Sequence, residues 1–369
     1  MMKKILTAAA LAALSGAAFA QSSVTLYGRI DVGVDYISGL PNSSYTGSTS
    51  RWRAESGNWG GSFWGFKGVE DIGGGTKVLF QLENAFNTMN GQSANNLMFN
   101  DIATVGFSHD SYGTLLLGRE AFISNGDWDF DPFGQTSWSS ASLVRGRNWP
   151  KSSNNISYQS PKFAGFDVYG QYSLSNATSW NGNGTTAQGR QDGLQITYTS
   201  ALFQVRGIYD EIRDPQNGLL DNPFTHSREY TAGVNVFLGP VTLRSVYQAL
   251  RTSGGAVAGA GPTSLDHEWA GVNWQVTPAA SLIAAAYHVN ANKGGGNATI
   301  YSVGGTYNLS KRTLLDFQVA TVRNSSTANF GLDANSEGPG GVQADGSYNE
   351  NPLPGHSQSG AFVGMQHLF

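Results

Sequence analysis

Cysteine is absent from the 369 residues, which excludes disulfide scaffolds, thiolate metal sites and cysteine nucleophiles. Charge is scarce as well. Asp, Glu, Lys and Arg together make up 13%, about half of the roughly 25% found in an ordinary globular domain. Positive charge is in the minority, with 22 Lys and Arg against 26 Asp and Glu and a formal net charge of −4. No nucleic-acid partner is therefore expected. Long apolar runs are missing: after residue 20 nothing approaches the roughly 18 consecutive apolar residues of a spanning helix, and mean hydropathy is −0.26. The six histidines, at positions 109, 226, 267, 288, 356 and 367, show no metal-ligand spacing. G-x-S-x-G, H-E-x-x-H and G-x-x-x-x-G-K-[ST] are all absent, so neither an enzyme nor a bound cofactor or metal is expected. What is plentiful is glycine, at 48 residues, near twice the usual ~7%. Aromatics reach 12%. Glycine without a triplet period and with so many aromatics is neither collagen nor a disordered chain.

The first twenty residues read as an address. Lys3 and Lys4 form a positive head, residues 5–14 are almost entirely apolar, and Ala18-Phe19-Ala20 is an A-x-A cleavage site. This is a secretory signal of bacterial type, too short to span a membrane as a helix. Its removal leaves a mature domain of residues 21–369 with a net charge of −6. Any membrane role of the exported chain must use strands.

Period-2 alternation supplies those strands. In Val24-Thr25-Leu26-Tyr27-Gly28-Arg29-Ile30-Asp31-Val32 the even positions other than Gly28 are apolar, and the odd ones include Thr25, Arg29 and Asp31. Val78, Phe80 and Leu82 alternate with Lys77, Gln81 and Glu83, and Leu315, Phe317 and Val319 with Asp316 and Gln318. Helical spacing is nowhere sustained after residue 20. The pattern gives sixteen strands, near 24–37, 62–70, 76–88, 98–109, 112–120, 153–160, 165–176, 191–200, 202–213, 228–238, 240–251, 266–277, 279–291, 298–309, 311–324 and 357–369. Tight turns such as Leu238-Gly239-Pro240 alternate with polar Gly-rich stretches at 38–60, 177–190, 214–227, 252–264, 291–297 and 324–356. Each strand has roughly the 9–11 residues a tilted membrane strand needs, and the alternation of short and long connections suits a transmembrane barrel. A β-sandwich also alternates. However, sixteen strands without a linker exceed one sandwich, and the chain stops on Ala361, Val363, Met365, His367 and Phe369 at alternate positions.

The chain resembles the general porins of the Gram-negative outer membrane, in their beta-proteobacterial (Neisseria, Bordetella and Burkholderia) form. The resemblance rests on Ser23-Val24-Thr25-Leu26-Tyr27-Gly28-Arg29-Ile30-Asp31, Trp64-Gly65-Phe66-Lys67-Gly68-Val69-Glu70-Asp71-Ile72-Gly73-Gly74-Gly75, Phe80-Gln81-Leu82-Glu83, Gly113-Thr114-Leu115-Leu116-Leu117-Gly118-Arg119, Asn155-Ile156-Ser157-Tyr158 and Val363-Gly364-Met365-Gln366-His367-Leu368-Phe369. One departure is Gln366, where these porins often carry arginine. The resemblance implies an all-β fold, a 16-stranded antiparallel transmembrane barrel with an inward-folded third loop at about 120–150, assembled as a homotrimer. It further implies outer-membrane lipid and lipopolysaccharide as surroundings, and Phe369 as the signal read by the barrel-insertion machinery. The implied activity is passive diffusion of ions and small hydrophilic solutes.

A barrel of this width encloses water, so its inward residues are polar while its outward band faces lipid. The loop offers Asp127, Asp129 and Asp131 toward the pore, with Trp128, Phe130, Phe133 and Trp138 as anchors to the inner wall. Lumen-facing parity selects Arg29, Lys67, Lys77, Arg206 and Arg244 on the opposite wall. Arg119 lies at the strand–loop junction, and Arg145 and Arg147 at the loop's return. An acidic loop against a basic wall makes a transverse field that biases what passes. Because local potential outweighs net charge, weak anion preference or little preference is expected. Asp127, Asp129 and Asp131 also begin the pattern of a calcium loop, but its glycine and glutamate positions hold Pro132 and Trp138. Two other functions fit the same barrel: a selective channel for sugars or organic anions, and an adhesin or receptor carried by loops such as 324–356. The leader makes one prediction. The exported protein should begin at Gln21, and N-terminal sequencing that found Met1 retained would contradict it.

Overall fold

The computed structural model describes residues 23–93, 97–144, 146–174, 189–253, 261–332, 341–342 and 348–369. The expected leader, Arg145 and the centres of the stretches 177–190, 252–264 and 324–356 lie outside them. The chain runs β1 (Ser23–Pro41), β2 (Ser48–Glu55), β3 (Ser62–Gly73), β4 (Thr76–Phe86), β5 (Ile102–His109), β6 (Gly113–Ala121), β7 (Lys151–Gln159), β8 (Phe166–Ser173), β9 (Gln191–Thr199) and β10 (Phe203–Ile212). It continues through β11 (Arg228–Leu238), β12 (Val241–Arg251), β13 (Ser264–Gln275), β14 (Ala280–Ala291), β15 (Gly296–Asn308), β16 (Thr313–Asn324), the two-residue pair β17 (Gly341–Val342) and β18 (Tyr348–Asn349), and β19 (Gln358–Leu368).

Apart from β17 and β18, all of these join one antiparallel sheet that closes on itself. The closing seam pairs β1 with β19, from Arg29↔Leu368 to Ser38↔Ser359. On its other edge β1 meets two strands end to end: β3 along Ser23–Arg29 and β2 along Gly33–Pro41. β2 and β3 are thus one stave, and the barrel has sixteen staves. Closure leaves no sheet edge in hydrocarbon, where each unpaired backbone group costs several kcal/mol.

Every predicted strand falls on a stave. The stretch 38–60 does not behave as the loop its polarity suggested. β1 runs on to Pro41, and β2 occupies 48–55. Between β2 and β3, residues 55 to 63 span the distance that β1 covers from 33 to 29. This stretch holds four residues more than β1 does over the same distance, and residues 56–61 form a bulge in the wall.

Burial follows parity. On β1, Val24, Leu26, Ile30 and Val34 are exposed and face outward, while Asp31 and Asp35 are buried on the inner face. The same division continues round the barrel: Val105, Phe107, Leu243, Val303 and Val319 face outward, and Thr104, Asn235, Gln318 and Asp316 face inward and are buried. A fold that is apolar outside and polar inside reconciles the hydropathy near zero with a membrane barrel.

At the end of the seam, Gly28 and Phe369 exchange backbone hydrogen bonds, each 3.1 Å. A Cβ on Gly28 would lie 2.4 Å from the Phe369 ring and 2.6 Å from the carbonyl oxygen of Phe63, so only glycine lets the terminal ring lie against β1. Gly28→Val should therefore cost about 1–3 kcal/mol. The expected result is a lower midpoint for the heat-induced mobility shift of the folded barrel on gels. An unchanged midpoint would contradict the packing described.

Candidate functional site

Between β6 and β7, residues 122–150 turn away from the wall that produced them and lie on the inner face of β9–β16. Two 3₁₀ segments, Ile123–Phe130 and Ser140–Leu143, are joined by irregular chain. Phe122, Phe130, Phe133, Trp138 and Leu143 are each 2% exposed or less. The wall receives them on glycines. A Cβ on Gly193 would lie 2.5 Å from Ile123, on Gly233 2.8 Å from Phe130, on Gly271 2.5 Å from Pro132, on Gly304 2.8 Å from Phe133 and on Gly360 2.9 Å from Trp138. Part of the glycine excess thus forms a trough in which the loop sits.

Polar inward residues then bind the loop's backbone. Asn235 Nδ2 donates to Asp129 O at 3.0 Å, Trp269 Nε1 to Phe130 O at 3.0 Å and Asn273 Nδ2 to Pro132 O at 2.7 Å. Gln318 Nε2 and Ser302 Oγ both donate to Trp138 O, at 3.0 and 2.9 Å. Buried carbonyls that would otherwise lack partners are satisfied by side chains.

The nine sequence-selected charges divide into five groups. Arg206 and Arg244 face inward as expected, but they do not stand opposite the loop; they are under it. Arg206 Nη1 donates to Gly126 O and to Asp129 Oδ2, each at 2.6 Å. Arg244 Nη1 donates to Asp129 O and Asp131 O at 3.0 and 2.9 Å. Asp127 and Asp131 do not project toward open space; they are 4% and 0% exposed. Asp127 accepts from Gln135 and Gln248 at 2.8 Å, and Asp131 from Tyr287 at 2.7 Å and from Ser140 and the Phe133 amide. Protein donors use these oxygens, which is unlike the converging oxygen cage of a calcium loop. Of the three, only Asp129 has an open carboxylate, 61% exposed.

Lys67 and Lys77 keep their inward parity. Lys67 Nζ lies 4.6 Å from the centre of the Tyr27 ring. Lys77 is 4.0 Å from Asp110, beside the short turns and away from the loop. Arg119 is a correction. It pairs with Ala103 and shares the parity of the exposed Leu115 and Leu117, the outward face. Glu120, two residues on from Gly118 opposite the buried Thr104, takes the inward position by plain alternation and accepts from Asn155 Nδ2. The Arg119 guanidinium donates to Asn100 O at 2.8 Å and Ser153 Oγ at 2.7 Å.

Arg29 alone of the basic set faces the loop across open space. It lines a cavity of about 480 Å³ between the loop and the wall of β3–β5. Across the cavity stand Trp128, Gly134, Gln135 and Trp149; on the wall side are Trp59, Glu83, Asp101 and Lys151. Arg29 Nε donates to Gly61 O at 2.8 Å. Its guanidinium lies where a side chain on Gly60 would clash, 2.7 Å from the ideal Cβ. The bulge 56–61 carries Trp59 inward, 5.9 Å from the Phe133 ring, and touches the loop where the Ser137 amide donates to Asn58 O at 3.3 Å.

A second group was not anticipated. Arg147, on the loop's return, is buried and pairs with Asp210 and, at 3.2 Å, with Glu229. Glu229 also accepts from Thr231 and Gln248, each at 3.0 Å, and Gln248 reaches both Asp127 and His267. The inward parity of Asp210 and Glu229 was readable; their convergence on Arg147 was not. One buried cation here faces three carboxylates. Burial pushes the Asp127 carboxyl well above the ordinary range, and the nearby Glu229, Asp131 and Asp210 add to the effect.

The sign of that shift gives a prediction. The folded barrel holds a proton on Asp127 at pH values where the unfolded chain, with an ordinary value near 3.9, has lost it. Its contribution to stability is therefore complete below pH ~4 and is lost as pH rises through the elevated value. Asp127→Asn should flatten this dependence, with a thermal midpoint that falls roughly 2–4 °C less than the parent's between pH 5 and pH 8. Parallel slopes would contradict it.

Comparison with known proteins bears on this geometry. The profile of the Gram-negative porin family matches residues 7–327. An outer membrane porin protein of Bordetella pertussis is 30% identical over 85% of this chain and 92% of its own length. Outer membrane porin protein 32 of Delftia acidovorans is 30% identical over the full length of both chains. Among solved structures, the anion-selective porin from Comamonas acidovorans superposes with a TM-score of 0.77 at 24% identity, covering 94% of this chain and all of that one.

Proposed function

The chain belongs to the Gram-negative porin family and is an outer-membrane porin, a water-filled channel for passive diffusion of ions and small hydrophilic solutes, and on that premise we propose that residues 122–150 form its constriction and Arg29 the charge that faces them. One observation supports this. The loop leans on one wall through a continuous seat, and the space left over is bounded by Arg29 on the other. Arg206 and Arg244 anchor the loop. Lys67 and Lys77 are lumen residues below the narrowest level, and Asp129 is the acidic residue open to solution.

Permeation then depends on few groups. Asp127 and Asp131 are occupied by protein donors, so the loop presents less negative charge than its sequence suggests. Arg29 contributes a guanidinium that carries no ion pair among the described residues. Local potential sets selectivity in a narrow aqueous passage, so weak anion preference follows. The chain performs no catalysis in this account. Three copies assemble as a homotrimer in outer-membrane lipid and lipopolysaccharide, and Phe369, at the end of the closing strand with its ring 41% exposed, serves as the assembly signal for the insertion machinery.

The experiment is single-channel recording in planar bilayers with a KCl gradient. Stepwise conductance proportional to salt is expected, with a reversal potential slightly on the anion side. Arg29→Ala should move the reversal potential toward cations by several millivolts, whereas Lys77→Ala should leave it near the parent value. Strong cation preference in the parent channel, or equal shifts for both variants, would overturn the assignment of Arg29.

A further inference from the structure

The cavity beside Arg29 is more specialised than simple passage requires. Three tryptophans line it, Trp59 from the wall bulge and Trp128 and Trp149 from the loop. Two of its lining residues are held in the left-handed backbone region without being glycine: Gln135 at φ +57° and Trp149 at φ +54°. Such conformations cost about 1–3 kcal/mol each and persist where the surroundings impose them, often at ligand sites. Here they are mutually fixed, since Trp149 Nε1 donates to Gln135 O at 3.2 Å and Gln135 is tied to Asp127 at 2.8 Å. The aromatic wall is therefore pre-organised.

The other charged groups around this wall have protein partners. Lys151 pairs with Asp101. Glu83 accepts from the Tyr27 hydroxyl and from Gln81 Nε2. Arg29 uses Nε on Gly61 O, and no carboxylate pairs with its guanidinium among the described residues. A cavity of about 480 Å³ thus combines three indoles with a guanidinium that lies 5.2 Å from the centre of the Phe63 ring and that Asp31, Glu83 and Asp101 influence from a distance without contact. A guanidinium matches a carboxylate in two parallel hydrogen bonds, and indoles favour a flat π-body over a saturated one of equal size.

We propose that this cavity is a binding subsite for small aromatic carboxylates, with Arg29 taking the carboxylate and Trp59, Trp128 and Trp149 the ring. It rests on the porin reading and deepens it: such solutes are retained during passage and enriched over other anions of their size.

The test is current block in planar bilayers by the folded protein. The probes are benzoate, cyclohexanecarboxylate, acetate and benzylammonium, at matched ionic strength. Benzoate should block at millimolar concentration, about three- to tenfold more strongly than cyclohexanecarboxylate, with acetate and benzylammonium weaker still. Trp128→Leu should remove the preference of benzoate over cyclohexanecarboxylate, and Arg29→Gln should remove the preference for carboxylates, both in barrels that retain the heat-induced mobility shift of the folded parent. The charge-preserving Arg29→Lys should restore part of the carboxylate preference, which a merely structural role of Arg29 would not produce. A conducting parent channel that is blocked equally by benzoate and cyclohexanecarboxylate, or by benzylammonium as strongly as by benzoate, overturns the subsite and leaves the porin reading intact. A parent protein without conductance overturns the porin reading, and the subsite with it.

Discussion

The contact between residues 122–150 and the far wall organises this molecule. It is made possible by the absence of side chains at Gly193, Gly233, Gly271, Gly304 and Gly360, each on the inward parity of a different strand. Without that trough the aromatic side chains of the loop would meet Cβ atoms at well under van der Waals distance. With it, the inner wall becomes in part a hydrophobic core, and a barrel that would otherwise hold only water acquires a packed interior on one side. The asymmetry of the interior, a crowded wall facing an open one, follows from where these glycines lie.

Polar chemistry is layered on that contact. The inward side chains under the loop donate to its carbonyls, and the buried group around Arg147 balances carboxylates from β10, β11 and the loop. Such a network is valuable only when its members are satisfied, and here it links the loop's return to three adjacent strands. Asp127, Asp131 and Arg147, conspicuous in the sequence of the loop, are thus structural.

Period-2 alternation made the staves readable, because each face of a barrel strand meets a different solvent. The same rule correctly gave the inward direction of Arg29, Lys67, Lys77, Arg206 and Arg244. It could not give height along the barrel, so Lys77 was grouped with residues far above it. Nor could it say which wall the loop would lean on, so Arg206 and Arg244 exchanged the expected role for its converse. Arg119, whose direction the strand–loop junction left open, follows the plain alternation of β6 and shares the outward face of Leu115 and Leu117. β2 was missed because Arg51, Trp52 and Arg53 sit in a short segment between polar Gly-rich flanks, and its pairing is decided by the overlong β1 beside it. Trp59 sits in the bulge that follows, where no periodicity exists to be read.

The seam between β1 and β19 has a consequence for how such a molecule is made. Asp31 and Gln366, joined by a hydrogen bond of 3.1 Å, are 335 residues apart in sequence. The first stave therefore cannot complete its pairing until the last has been delivered, however well the hairpins between them have formed. Pairing of such high sequence separation is slow, and until it occurs the nascent sheet presents two raw edges to any other strand in reach. A chain cut short by one strand would be an open ribbon with an aggregation-prone margin. Its final residues therefore act as the clasp that turns a growing sheet into a vessel.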